Sequence, residues 1–235
     1  MEETPLYVGK AKELYPIEGS KNFRVHYLDQ ATALNGQKKD QIAGKGQLNN
    51  AITSLIFEDL TNQDIENHFV KKLNDTDQVV QSMTMIPLEC VVRNVATGSI
   101  VKRLGIEEKT EFEEPVIEFF YKNDDLDDPM INESHISLLK LLSPEQVNEI
   151  KEKVRQLNDR LVTLFAKANI RLVDFKVEYG FNENGEIILA DEISPDTCRL
   201  WDMDTGESLD KDIYRKDLGE IVPIYEEVYR RLKSI

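Results

Sequence analysis

The segment RLVDFKVEYGFNENGEIILADEIS, residues 171–194, alternates apolar and polar side chains and then reaches an asparagine–glycine pair. On an extended strand Val173, Phe175, Val177, Tyr179 and Phe181 share one face, and Asp174, Lys176 and Glu178 share the other. Asn184–Gly185 is a strong short-range hairpin signal. A two-residue loop sets Glu178 directly across from Asp191, a four-residue loop keeps both on one face, and an odd-length loop separates them. Two carboxylates facing each other across an antiparallel pair cost up to about 1 kcal/mol unless they share a cation. Asp191 follows the apolar run IILA, which reads as buried on both faces, so a solvated polar face explains it poorly. Two such carboxylates with Lys176 beside them suit Mg²⁺, which takes one or two protein carboxylates plus substrate phosphates. The run continues as ILADEISPDTCRLWD, residues 188–202. There Glu192 is expected on the opposite face as a structural group, and Trp201 and Asp202 in packing roles.

Around this hairpin the chain reads as mixed α and β. Its 235 residues suffice for one large domain or two intimate lobes, and 40% hydrophobic with 31% charged residues is ordinary globular composition. With 29 basic against 44 acidic residues the net charge is −15, which excludes nonspecific binding to nucleic acid or anionic membranes. Anionic small molecules remain open to a local basic pocket. Cys90 and Cys198 form no CxxC, which fits a reduced compartment. His26, His68 and His135 lack zinc-site spacing. No apolar run approaches the roughly 18 residues of a membrane span, and the expectation is a soluble cytoplasmic protein.

Residues 6–17 and 23–29 read as two strands around a turn, and ATALNGQKKDQIAGKGQ, residues 31–47, as a polar loop. The loop leads into a helix marked by Ile52, Leu55, Ile56 and Leu60. Residues 68–74 and 78–95 read as further strands, with Pro87 at a bend or edge. TGSIVKRLG predicts a short helix with Thr97 as N-cap and Gly105 beyond its end. Ser143-Pro-Glu-Gln146 predicts a capping box that starts a long helix with a stripe of Val147, Ile150, Val154, Leu157, Leu161 and Leu164. The expected organisation is a strand-rich lobe, 1–90, a mixed lobe, 91–235, and a ligand cleft between them.

Two places could hold phosphate. Lys10 and Lys12 project from one face of a strand, although lysines that protect a sheet edge look the same and no Walker A motif is present. Arg93 ends a strand before Gly98–Ser99 open a helix, with Arg103 a turn later and Arg199 downstream. Arginines, a serine and a helix N-terminus suit a phosphomonoester, and a capped surface helix is the plain alternative. The acidic run KNDDLDDP fails the calcium-loop pattern, because glycine is absent from the sixth position and the twelfth is His135.

The blocks GKAKELY, PLECVVRNVATGSIVKRLG, KNDDLDDPMINESH, LVDFKVEYG and ADEISPDTCRLWD resemble, in order, the signatures of the SAICAR synthetase family. The resemblance implies a two-lobed α+β fold, with a strand-rich N-terminal nucleotide-binding lobe and an ATP-grasp-like C-terminal lobe. It implies ATP-dependent ligation of L-aspartate to carboxyaminoimidazole ribonucleotide through an acyl phosphate, with Mg²⁺ as cofactor, in a monofunctional homodimer. By the same resemblance Gly9, Lys10, Ala11 and Lys12 bind ATP, with Lys10 and Lys12 on its phosphates, and Met83 and Met85 line the adenine. Glu178 and Asp191 bind Mg²⁺. Arg93, Ser99 and Arg199 hold the ribonucleotide, with Asp196 near its ribose. Lys122, Asp124, Lys176 and Arg215 line the substrate cleft, and Lys12, Lys176, Glu178 and Asp191 form the catalytic set. A phosphotransferase acting on a small metabolite and a noncatalytic nucleotide-binding regulator are the other readings, separable by whether turnover requires aspartate.

Overall fold

A computed structural model of the chain describes residues 4–33 and 38–235. Tyr7–Val8 (β1), Lys12–Pro16 (β2) and Phe23–Tyr27 (β3) pair as consecutive antiparallel strands. Gln30–Ala33 (β4) and Lys38–Gln41 (β5) pair with each other, so the segment expected as a loop carries a two-stranded ladder. β5 is wholly polar, and the alternation of β4, Gln-Ala-Thr-Ala, is only four residues long, which hid them; residues 34–37 of that segment lie outside the described residues. The expected helix follows at Lys45–Thr61 (α1), then Phe69–Lys72 (β6) and Asp77–Val80 (β7), completing a sheet of order β1-β2-β3-β7-β6.

The second sheet is built from Thr84–Val95 (β8), Glu111–Tyr121 (β9), Met130–Ile131 (β10), Ile170–Phe181 (β11) and Ile187–Ala190 (β12), in the order β10-β9-β8-β11-β12. Cys198–Asp202 (β13) pairs with the first half of β11, on the edge whose second half pairs with β12. Pro87 marks a bend and not an edge: β8 is internal to the sheet, and its register against β11 shifts there, between Glu178 and Gly180. A residue without an N–H is tolerated at such an irregularity. The helices are Ser99–Leu104 (α2), Glu133–Leu138 (α3), Pro144–Lys167 (α4), Asp212–Arg215 (α5) and Ile221–Lys233 (α6).

The capping box of α4 is present in both directions. The Gln146 N–H donates to Ser143 Oγ at 3.2 Å, and the Ser143 N–H donates to Gln146 Oε1 at 2.9 Å. Its stripe from Val147 to Leu164 packs with Phe175, Val177 and Tyr179 of β11 and with Ile52, Ile56, Phe57 and Leu60 of α1 in one core. The apolar face of β11 is thereby consumed, which leaves the face of Asp174, Lys176 and Glu178 to carry chemistry. Helix α2 begins one residue later than expected: Gly98, not Thr97, is its N-cap, at φ 64° and ψ −131°. That backbone belongs almost entirely to glycine, and Thr97 Oγ1 instead donates to Glu108. Gly105 ends the helix in the left-handed region, as expected.

The β11–β12 hairpin departs from the two-residue loop. Phe181 faces Ile187, and Glu178 faces Ala190 rather than Asp191. Asn182 accounts for the difference: its Oδ1 accepts the N–H groups of Asn184 at 3.0 Å and Glu186 at 2.9 Å. Gly185 then takes φ 80°, and the loop holds three residues. An odd loop should put Asp191 on the far face from Glu178. It does not, because Asp191 itself adopts φ 63°, which breaks the alternation at the end of β12.

Candidate active site

The sheet register assembles one polar face. On β8 and β11, Glu89 pairs with Glu178, Val91 with Lys176 and Arg93 with Asp174; Glu118 of β9 faces Val91, and Arg199 of β13 faces Asp174. Directly paired residues point the same way, so these charges rise from the side of the sheet opposite α4. Glu89 against Glu178 would be repulsive alone. Lys176 Nζ pairs with Glu89, and Lys122 Nζ lies 2.5 Å from Glu178 Oε1.

Across this face stands the first sheet. The Gly9 N–H donates to the Lys12 carbonyl at 2.8 Å, which closes a tight turn through Lys10 and Ala11 between β1 and β2. Lys10 and Lys12 therefore do not share one strand face as expected. Lys10 rides the exposed turn, 3.6 Å from exposed Asp124, whereas Lys12 opens β2 and reaches inward to Asp191, with Glu192 at 3.4 Å. Burial opposes the charge on Lys12, but Asp191, Glu192 and Tyr27 outweigh it and hold its pKa well above the lysine range. Burial likewise opposes ionisation of Asp191, yet Lys12, Lys176 and Lys122 keep it well below the carboxylate range. Glu178 is pushed up by burial and by Asp191, against Lys122 and Lys176. Two carboxylates that repel each other and share the same lysines are a hard, all-oxygen donor pair, which fits Mg²⁺ with phosphate completing its coordination. Met83 and Met85 lie where the chain leaves the first sheet at Val80 and enters the second at Thr84, with Met85 exposed.

At the other end of the face, Arg93 donates from Nε to Glu118 at 2.8 Å, and through its terminal nitrogens to Asp174 at 3.0 Å and Ser99 Oγ at 3.2 Å. Arg199 shares Asp174 at 2.8 Å and donates to Asp212 at 3.3 Å; Arg215 joins it on Asp212 at 2.7 Å. Arg93, Ser99, Arg199 and Arg215 thus form one corner, tied by Asp174 and Asp212. Burial opposes the ionisation of Asp212, but Arg199, Arg215 and Lys216 bring it down to about 2. Arg199 is partly exposed and lies against Gly98: a Cβ there would stand 3.0 Å from its guanidinium.

Asp196 lies apart from this corner, in a buried cluster that sequence reading missed. Wholly buried Lys45 of α1 pairs with it, Asn49 Nδ2 donates to it at 3.0 Å, the Tyr225 hydroxyl of α6 donates at 2.6 Å, and Lys211 stands at 3.8 Å. Burial and the neighbouring Lys45 and Arg215 push Lys211 down, against Asp196 and Glu192. Glu192 is buried beside Lys12, with Oε2 lacking a hydrogen-bond partner among the described residues, so it shares the lysine of Asp191 rather than standing apart. These partners lie far apart in sequence, and no local pattern marks them. Glu89 was legible, since it falls in phase with Arg93 on β8. Asp202 is not a packing group as expected: it pairs with Arg231 at 2.6 Å and accepts the N–H groups of Asp204 and Thr205, while Lys109 stands over the Trp201 ring.

A family model described as SAICAR synthetase matches residues 5–232. A phosphoribosylaminoimidazole-succinocarboxamide synthase of Enterococcus faecalis is 59% identical over 97% of this chain and 96% of its own. The Bacillus subtilis protein of that name is 52% identical over 98% and 95%. Among solved structures, the enzyme of that name from Ehrlichia chaffeensis superposes with TM-score 0.95 at 42% identity, covering 99% of each chain. A SAICAR synthetase in complex with ADP gives 0.94 at 44%, covering 97% of each.

Proposed function

The chain belongs to the SAICAR synthetase family, and from that premise we propose how its residues divide the work of one reaction. The reaction is ATP-dependent ligation of L-aspartate to the carboxylate of carboxyaminoimidazole ribonucleotide, giving SAICAR, ADP and phosphate. A carboxylate is a poor electrophile. Its oxygen takes the terminal phosphoryl group of ATP, the aspartate amine attacks the resulting acyl phosphate, and the C–O bond to phosphate breaks as the amine gives up a proton. The catalytic demand is positioning and charge neutralisation. One observation carries the assignment: Lys12, Lys122 and Lys176 converge on Glu178 and Asp191 from separate elements of both sheets.

Lys12, with the Gly9–Ala11 turn and Lys10 above it, holds the ATP phosphates, and Met83 and Met85 flank the adenine. Glu178 and Asp191 hold Mg²⁺, which neutralises phosphate charge when bound. Lys176 and Lys122 swing from carboxylate partners to substrate oxygens, and Asp124 and Arg215 line the cleft. Arg93, Ser99 and Arg199 take the ribonucleotide phosphate, and Asp196 faces its ribose. Residues 1–90 serve as the nucleotide lobe and 91–235 as the metal and ribonucleotide lobe. A homodimer belongs to the same reading, supported by exposed Leu126, Met130, Leu138 and Leu139 in one stretch. A cytoplasmic site is supported by two free buried cysteines. No described helix is long and apolar enough to cross a membrane.

In a coupled assay, ADP forms only with ATP, the ribonucleotide and aspartate all present; ADP release that continues undiminished without aspartate overturns the ligase reading. Gly98→Ala tests the anion corner. The Cβ presses on Arg199 and the backbone takes on about 1–3 kcal/mol of strain. The ribonucleotide KM is expected to rise about tenfold or more, one decade per 1.4 kcal/mol, with the ATP KM within about twofold. A change confined to the ATP KM removes Arg199 from the ribonucleotide site.

A further inference from the structure

Asp191 is a non-glycine residue held at φ 63°, and that backbone aims its carboxylate into the site. An aspartate tolerates this region only locally, and such strain persists where surrounding groups fix it. Lys12 fixes the carboxylate. The carbonyl of the same residue is fixed from behind by His68, whose Nε2 lies 3.0 Å from it. A carbonyl oxygen can only accept, so Nε2 carries the proton and donates.

His68 is itself over-determined. It is 7% exposed, and its ring meets Phe57 edge-on, with centroids 5.6 Å apart. Its N–H donates to the Leu189 carbonyl at 2.9 Å, and its own carbonyl accepts the Gln81 N–H at 2.7 Å. The residue thus joins the end of the first sheet to β12, two residues before Asp191, and its ring closes on the carbonyl that ends the strand.

We infer that His68 is a positioning residue for the metal site: its Nε2–H fixes the left-handed backbone of Asp191 and so sets the angle at which the carboxylate meets the metal. The inference rests on Asp191 being a metal ligand, as proposed above. Buried His68 acts through the Asp191 carbonyl, not as a ligand itself. Groups that hydrogen-bond a ligand residue and orient it typically change metal affinity or activity by about 10–100-fold when lost.

The test uses Mn²⁺ as a paramagnetic probe, titrated into the whole protein with saturating ADP and followed by the loss of its free EPR signal. His68→Leu keeps apolar bulk beside Phe57 and removes the donor, and Mn²⁺ affinity is expected to fall about 10–100-fold. His68→Gln restores an N–H at similar reach and should bind within about threefold of the parent. Asp191→Asn is the control for the underlying reading: if it binds Mn²⁺ like the parent, the metal assignment itself fails. If Asp191→Asn abolishes binding while folded His68→Leu binds like the parent, the inference about His68 is overturned. The same holds if His68→Gln loses as much as His68→Leu, since packing on Phe57 then explains both. If His68→Leu does not fold, folded His68→Asn replaces it, with an amide too short to reach the carbonyl. It must lose affinity where His68→Gln does not, and parent-like binding by His68→Asn overturns the inference.

Discussion

Asp191→Asn should lower kcat on the order of 1,000-fold while leaving the chain folded, the scale seen when a preorganised group facing transition-state charge is removed. The substitution keeps the shape of the side chain, and asparagine tolerates the left-handed backbone at φ 63° as well as aspartate does. What it removes is one full negative charge at the meeting point of Lys12, Lys122 and Lys176. Lys12 is not stranded, because Glu192 stands 3.4 Å from it, so the melting temperature should move by only a few degrees. Glu178 would ionise more readily, since the charge of Asp191 is one of the two causes pushing it up. It would then face the metal with one carboxylate instead of two. Glu178→Gln removes the other carboxylate and should lose turnover comparably. The measurement is ADP release under saturating substrates, with a magnesium titration. Near-parental turnover in either variant would remove that residue from the metal site.

The hairpin around Asn184–Gly185 explains how much of this was legible. The alternation from Val173 to Phe181 fixes which side of β11 enters the core, and the α4 stripe supplies the partner for that side. The polar side then has to be the working side, a deduction that needs only residue order. The register was not legible, because Asn182 folds its own side chain over the turn and adds a loop residue. The left-handed turn at Asp191 reversed the effect of that shift. Sequence counting brought Glu178 and Asp191 together by a route that the backbone does not take. The same limit applies to β4 and β5, one an alternation of only four residues and the other wholly polar, and to Lys10, which a turn removes from the strand it seemed to share with Lys12. Ionic contacts between distant elements leave no periodic trace. Lys45, one of three lysines in a polar segment, is the most buried lysine described.

That lysine carries the largest expected effect on stability. Lys45 is wholly buried at the start of α1, and its ammonium pairs with Asp196 of the segment between β12 and β13. Lys45→Met keeps most of the aliphatic volume and leaves Asp196 as a buried carboxylate with neutral donors from Asn49 and Tyr225 and with Lys211 at 3.8 Å. Breaking a buried pair from one side costs about 3–5 kcal/mol, because the remaining charge has lost both water and partner. At about 2–4 °C per kcal/mol for a chain of this size, the melting temperature should fall by roughly 6–20 °C. The pH dependence carries the sign. In the parent, burial opposes ionisation of Asp196 but Lys45 and Lys211 hold its pKa below the ordinary value, so its contribution is present above about pH 4 and lost as pH falls through the folded pKa. Without Lys45, burial dominates and raises that pKa above its unfolded value. The folded variant then binds the extra proton, and its deficit against the parent should narrow as the pH drops toward 4. Adding Asp196→Asn to Lys45→Met removes the stranded charge and should recover part of the loss, so the double variant costs less than the sum of the singles. A Lys45→Met protein that melts within about 2 °C of the parent at pH 7 would mean that water reaches Asp196 once the ammonium is gone. The fastening of α1 to the Asp196 segment would then have to come from Asn49 and from Thr53, whose hydroxyl donates to the Ile193 carbonyl at 3.2 Å.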